Sequence, residues 1–188
     1  MLETYSVAKN YLRELKRMST TIKCPTNRPT LQIGANSPFV KEMQKALNQR
    51  LAELDTLSDH PLQVIVTSHF DEQTQDAVKY FQCLAFLKAD GIVGKNTWAY
   101  LCEGTASLPE LSQGSSGLLV KYAQQALKYG EYYFGEIDGI FGAKTTEAVQ
   151  AFQASRYQQI NGIIAYRTWC ALSRLDAHIS HCIIDSFD

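Results

Sequence analysis

The sequence predicts an all-α chain of two tandem three-helix modules of the orthogonal-bundle type, with an N-terminal helical extension. Three observations predict it: a long internal repeat, helical spacing of apolar residues within each copy, and an Asp-Gly turn that recurs between helices. Gly34 to Val40 reads against Gly114 to Val120 at an offset of 80, and the same offset carries Ala46 and Leu47 onto Ala126 and Leu127. Beyond that point the offset is 71. Phe70, Thr74, Ala77, Val78, Phe81, Gln82, Gly91, Ile92, Thr97, Trp98 and Leu101 then fall on Phe141, Thr145, Ala148, Val149, Phe152, Gln153, Gly162, Ile163, Thr168, Trp169 and Leu172. The first copy is therefore nine residues longer between its first and second helices. The excess is expected in the polar, Pro-containing stretch from Asp55 to Pro61, because surface loops tolerate insertions.

Each helix follows from a stripe of apolar residues. In the first copy Val40, Met43, Ala46 and Leu47 share one face, Ala77, Val78 and Phe81 a second, and Trp98 and Leu101 a short third. The second copy repeats these stripes with Val120, Ala123, Ala126 and Leu127, then Ala148, Val149 and Phe152, then Trp169 and Leu172. Helix starts are expected near Phe39, Asp71 and Lys95, and near Leu118, Ala143 and Tyr166. Helices this short are marginal in isolation, so each must bury its stripe against the other two.

The turns share a grammar. Asp90-Gly91-Ile92-Val93-Gly94 matches Asp138-Gly139-Ile140-Phe141-Gly142, and Asn161-Gly162-Ile163-Ile164-Ala165 is a third example. Asp or Asn bonds its own backbone and Gly accepts positive φ, so Gly91, Gly139 and Gly162 are expected in the left-handed region. The Ile that follows is expected to point into the core. Gly94 and Gly142 are placed as N-caps, with the Thr97 and Thr145 hydroxyls serving the first helical turn. The fourth turn, Thr67 to Thr74, has lost both glycines and offers Asp71 as its cap.

Around the repeats, Ala8, Tyr11, Leu12, Leu15 and Met18 alternate at helical spacing with charged residues. This amphipathic segment either packs on its own protein or docks a partner. The chain divides into a helical segment and linker (1–29), a first module with a loop insertion (30–105), a second module (106–176) and a weakly patterned tail (177–188), with Glu103 to Pro109 as the linker between modules.

Hydrophobic residues make up 45% and charged residues 20%, a globular composition. A net charge of −1 and no basic stripe leave nucleic acid without a footprint. No run of roughly 20 apolar residues is present to span a bilayer, and no secretory leader is visible at the N-terminus. From that alone localisation stays open, with cytoplasmic residence one possibility. Cys24, Cys83, Cys102, Cys170 and Cys182 are odd in number and widely spaced, with no C-x-x-C pair. Reduced thiols are the expectation, Cys83 and Cys170 acting as small hydrophobes inside helices.

The second copy, from Asp138-Gly139-Ile140-Phe141-Gly142 through Thr145, Ala148-Val149, Phe152-Gln153 and Asn161-Gly162-Ile163 to Thr168-Trp169 and Leu172, resembles the peptidoglycan-binding-domain family. The likeness covers about 31–102 and 111–173, the second copy more closely. It implies a compact three-helix fold, a bacterial cell-wall or periplasmic setting, and peptidoglycan or its stem peptides as partner.

No H-E-x-x-H, G-x-S-x-G or Walker pattern is present, so neither enzymatic activity nor a cofactor is expected. His178, His181 and Cys182 are the densest group of metal-ligand types, but without a fourth ligand they specify no metal. Binding chemistry has more material. Tyr presents a flat apolar face and a hydroxyl, and a guanidinium fork suits a carboxylate. Tyr132, Tyr133, Arg156, Tyr157, Tyr166 and Arg167 all fall near helix ends of the second copy and are the candidate ligand contacts; several of these tyrosines could equally cover the core. The expected function is non-catalytic cell-wall binding. The alternative is a structural or protein-interaction subunit that reuses the fold.

Overall fold

The computed structural model describes residue 22 and residues 24–57 and 61–186, and every structural statement here concerns those residues. The proposed N-terminal amphipathic helix lies outside them. Seven α-helices are present: α1 (Pro38–Leu54), α2 (Glu72–Leu84), α3 (Lys95–Glu103), α4 (Leu118–Tyr129), α5 (Ala143–Ser155), α6 (Tyr166–Leu172) and α7 (Asp176–Ser186). Among the described residues there is no β-strand, only four isolated bridges. The first six helices form the two repeated sets of three.

The repeat extends to hydrogen bonds. Leu31 bridges Val93 as Leu111 bridges Ile164, and Asn36 bridges His69 as Ser116 bridges Ile140. Trp98 donates its indole N–H to the Pro29 carbonyl at 2.8 Å, and Trp169 does the same to Pro109 at 2.8 Å. Both indoles are fully buried, so these bonds fix where the chain enters each module.

A buried glutamine holds each of the four turns between helices within a module. Gln124 on α4 accepts the Gly139 N–H at 2.9 Å and donates to Asp138 at 2.9 Å, the Ile140 carbonyl at 3.1 Å and Thr145 Oγ1 at 3.1 Å. Gln82 grips Gly91, Asp90, Ile92 and Thr97 in the same way, and Gln153 grips Gly162, Asn161, Ile163 and Thr168. Gln44 performs the task without an Asp-Gly turn, taking the Thr67 N–H at 2.8 Å and donating to the His69 carbonyl and Thr74. One amide thus satisfies buried backbone groups that would otherwise lose water without replacement.

The turn glycines have φ of +71° (Gly91), +78° (Gly139) and +70° (Gly162), and Gly94, Gly142 and Asp71 cap their helices. Two details differ from expectation. Ile92 and Ile140 are exposed, and the following Val93, Phe141 and Ile164 enter the core instead, because the left-handed glycine reverses the direction of the next side chain. The Thr97 and Thr145 hydroxyls face the glutamine and the Ile carbonyl rather than the first helical turn.

The first copy's excess is also partly helical. Its α1 runs to Leu54, whereas α4 ends at Tyr129, the counterpart of Gln49 at the offset of 80. The extra turn supplies Arg50, which is buried and donates to the Leu101 and Cys102 carbonyls at 2.9 and 3.2 Å while pairing with Glu53 at 2.6 Å. A cation thereby meets the negative end of α3.

The cysteines are not all reduced thiols. Cys24 is bonded to Cys102 and Cys83 to Cys182, across 78 and 99 residues; Cys170 alone is free and buried. Spacing along the chain carries no trace of such pairs, which only the folded topology brings within reach. Nor is the tail formless. Helix α7 places Ile179 and Cys182 in the first module's core, while Phe86 from the first module enters the second module's core. The segment after α3 is a packed 3-10 turn (Gly104–Ser107) whose Thr105 hydroxyl lies 2.9 Å from the Cys170 sulfur. The modules are interlocked rather than strung on a free linker.

Candidate ligand-binding surface

The ends of α2, α4 and α5 are built alike. Each closes with a residue in the left-handed region, Phe86 (φ +57°), Glu131 (φ +62°) and Tyr157 (φ +53°), where glycine is usual. The next N–H reaches back to the helix, Leu87 to the Gln82 carbonyl at 2.8 Å, Tyr132 to Leu127 at 2.8 Å and Gln158 to Gln153 at 2.9 Å. These Schellman bonds define the direction in which the left-handed side chain projects.

Phe86 and Tyr157 are repeat counterparts, yet their surroundings are opposite. Phe86 is buried between Trp169, with ring centroids 5.1 Å apart, and His178, stacked at 4.4 Å. Tyr157 is 93% exposed. An aromatic ring held in a strained backbone conformation with no internal contact to justify it points to a surface role.

Its neighbours are suited to one. Arg156 lies over the Phe152 ring with its guanidinium 5.5 Å from the centroid, and Tyr132 meets the same ring edge-on at 5.2 Å. The Tyr132 hydroxyl is 2.9 Å from Ser155 Oγ. Tyr132, Ser155, Arg156 and Tyr157 therefore share one edge, where the turn after α4 meets the end of α5. It offers two phenolic groups, an alcohol and a guanidinium.

The other candidates sit elsewhere. Tyr133 is corrected to a structural residue, because it is buried and its hydroxyl donates to the Glu136 carbonyl at 2.7 Å while lying 3.3 Å from the Gln124 amide nitrogen. Tyr166 lines a small cleft with Arg50, Glu53 and Gly104 of the first module, and Tyr157 is not part of that lining. Burial, followed by the Cys170 sulfur, raises its phenol above the usual range. Arg167 is exposed, and its carbonyl accepts from the Gln158 amide at 3.2 Å, which ties the start of α6 to the residue after Tyr157. Ser155 was not marked by any sequence pattern. Nor was Phe134, 87% exposed two residues beyond Tyr132. Of the densest ligand-type cluster, Cys182 is committed to its disulfide and His178 is buried against Phe86. Among the described residues no three His, Cys, Asp or Glu side chains gather as a metal site.

The model of a family described as "Putative peptidoglycan binding domain" matches residues 36–101 and 116–172, one match on each three-helix set. The chain belongs to this family. Of curated relatives, it is 43% identical over 74 residues to an uncharacterized protein in the bpoA1 3' region of Kitasatospora aureofaciens, covering 38% of this chain and 63% of that protein. It is 28% identical over 162 residues to the N-acetylmuramoyl-L-alanine amidase CwlM of Mycobacterium tuberculosis, covering 80% of this chain and 39% of the amidase. The chain thus spans less than two thirds of either relative's length. No solved structure matches.

Proposed function

We propose that this chain is a non-catalytic peptidoglycan-binding protein that engages the cell wall through the Tyr132, Arg156 and Tyr157 edge of its second module. The observation that carries the reading is Tyr157, a ring presented to solvent from a left-handed position where its counterpart Phe86 is consumed by packing. A flat phenolic face suits a sugar ring, and Arg156 suits a peptide carboxylate beside it. Membership of the family supports peptidoglycan as the ligand class. The two disulfides support an oxidising setting outside the cytosol, where such a ligand is met.

The test is retention of the full chain on purified sacculi beside an inert polysaccharide. The parent protein should be retained, and Arg156→Ala combined with Tyr157→Ser should pass through with an unchanged melting transition. Equal retention of parent and variant would remove this edge from the reading. Failure of the parent itself to bind would remove peptidoglycan and leave the interaction-subunit alternative.

A further inference from the structure

The first copy's extra residues lead into a segment without turns or bends, Leu62 to Thr67, that two α1 side chains one turn apart hold in place. Asn48 accepts the Val64 N–H at 2.9 Å and donates to the Val64 carbonyl at 2.9 Å, as a neighbouring strand would, and Gln44 accepts the Thr67 N–H at 2.8 Å. Successive residues of an extended chain turn their backbone groups to opposite sides, so the N–H and carbonyl of Ile65 point away from Asn48. Among the described residues neither group has a partner. The Ile65 side chain is 77% exposed, more than any other Ile, Leu or Val among them.

The second copy guards the same place. At the offset of 71, Ile65 corresponds to Glu136, an exposed residue whose carbonyl already accepts the Tyr133 hydroxyl at 2.7 Å. A charge on an open edge opposes pairing with another chain, and the first copy lacks that protection: Leu62 to Ser68 carries no charged residue. Val64, Ile65, Val66 and Thr67 are all β-branched, the residue type that suits a paired strand.

We propose that this edge pairs, antiparallel, with the same edge of a second copy of the chain. About a two-fold axis at Ile65, each Ile65 donates its N–H to the other's carbonyl, and the register sets Val64 opposite Val66 and Gln63 opposite Thr67. Every cross-strand pair is then uncharged, and one patch supplies both sides of the contact. An edge without charge has nothing with which to select a charged foreign segment, whereas its own sequence matches it pair for pair. A net charge of −1 leaves little repulsion between copies. An edge this short forms a weak dimer that depends on concentration. The pairing is independent of what the second module binds, and it leaves the Tyr157 edge of each copy outside the contact.

The test is sedimentation velocity of the full chain with both disulfides intact, from about 10 µM to about 1 mM, the span in which a contact of this size associates. The parent should pass from monomer to dimer. Ile65→Lys and Ile65→Glu each set like charges across the two-fold axis and should weaken the dimer at least about tenfold. Ile65 is exposed, so both variants should keep the parent's melting transition. An equal mixture of the two variants sets Lys against Glu and should restore association, which a merely stickier or less sticky surface would not do. A parent that stays monomeric at every concentration, leaving the edge to an extended segment of another protein, would overturn the assignment. So would a dimer unaltered by either variant, or a mixture no more associated than its components.

Discussion

Cys83 on α2 and Cys182 on α7 are joined with their Cα atoms 5.7 Å apart, although 99 residues separate them. The bond ties the first module to the helix that follows the second. A cross-link spanning so long a loop restricts the unfolded chain strongly. Cys182→Ser should cost about 2–4 kcal/mol in a urea series, with the midpoint of the parent under reductant falling at least as far. An unchanged midpoint in both would mean that α7 is held by packing alone.

The glutamine clamps predict a larger effect than their exposed turns suggest. Gln153→Leu keeps approximate volume but strands the Gly162 N–H and the Ile163 carbonyl, both of which the amide serves at 3.0 and 2.9 Å. The loss should be about 2–3 kcal/mol, the range for burying a polar group unsatisfied. A variant within 0.5 kcal/mol of the parent by chemical denaturation, a threshold of about the ordinary surface effect, would show that water replaces the clamp.

Gly139 and Gly142 lie three residues apart and should respond differently. Gly139 has φ +78°, and a Cβ there would come within 2.9 Å of Lys121 Cγ and 3.1 Å of the Gly117 carbonyl oxygen. Gly142 has φ −94° and open space around it. Gly139→Val should therefore cost on the order of 1–3 kcal/mol, and Gly142→Ala less than about 0.5 kcal/mol. Thermal denaturation of the two variants side by side checks the turn assignment.

The helices were legible because their signal is local and repeated. Apolar stripes such as Ala148, Val149 and Phe152 recur at helical spacing, and the turn residues need particular backbone conformations that Asp and Gly supply. The disulfides were not legible, since Cys24 and Cys102, the latter on α3, meet only after the two helices between them have folded. Gln82 and Gln153 were visible as matched residues, but their role required knowing that one amide faces the next turn. The aromatic edge was partly legible. Tyr132, Tyr133 and Tyr157 look equivalent in sequence, and burial separates them only through the direction each turn imposes.

His178 should make stability depend on pH. It is buried against Phe86, and burial lowers its imidazole from the ordinary value to about 4, partly opposed by hydrogen bonds to the Leu84 and Cys83 backbone. In the unfolded chain it titrates near 6.5, so between those values only the unfolded state takes the proton. Its contribution is fully present above pH of about 6.5 and is lost as pH falls towards 4, by at most about 3 kcal/mol. His178→Phe, which keeps an aromatic ring for stacking, should flatten the stability profile across that window. A profile equally steep in the variant would assign the dependence to carboxylates.

Tyr157 should show stability and binding moving in opposite directions. Its left-handed backbone (φ +53°) costs a non-glycine residue about 1–2 kcal/mol, and its 93% exposed ring recovers none of that through packing. Tyr157→Gly removes the strain but adds flexibility to the unfolded chain, so a net gain of up to about 1 kcal/mol is expected. Retention on sacculi should fall in the same variant. At the counterpart position, Phe86→Gly should instead lose about 3–5 kcal/mol, because the ring packed on Trp169 and His178 leaves a cavity between the modules. Melting curves and sacculus retention measured together on both variants decide the matter. If Tyr157→Gly melts higher and still binds fully, the exposed ring is not the wall contact, and the strain at α5 needs another cause.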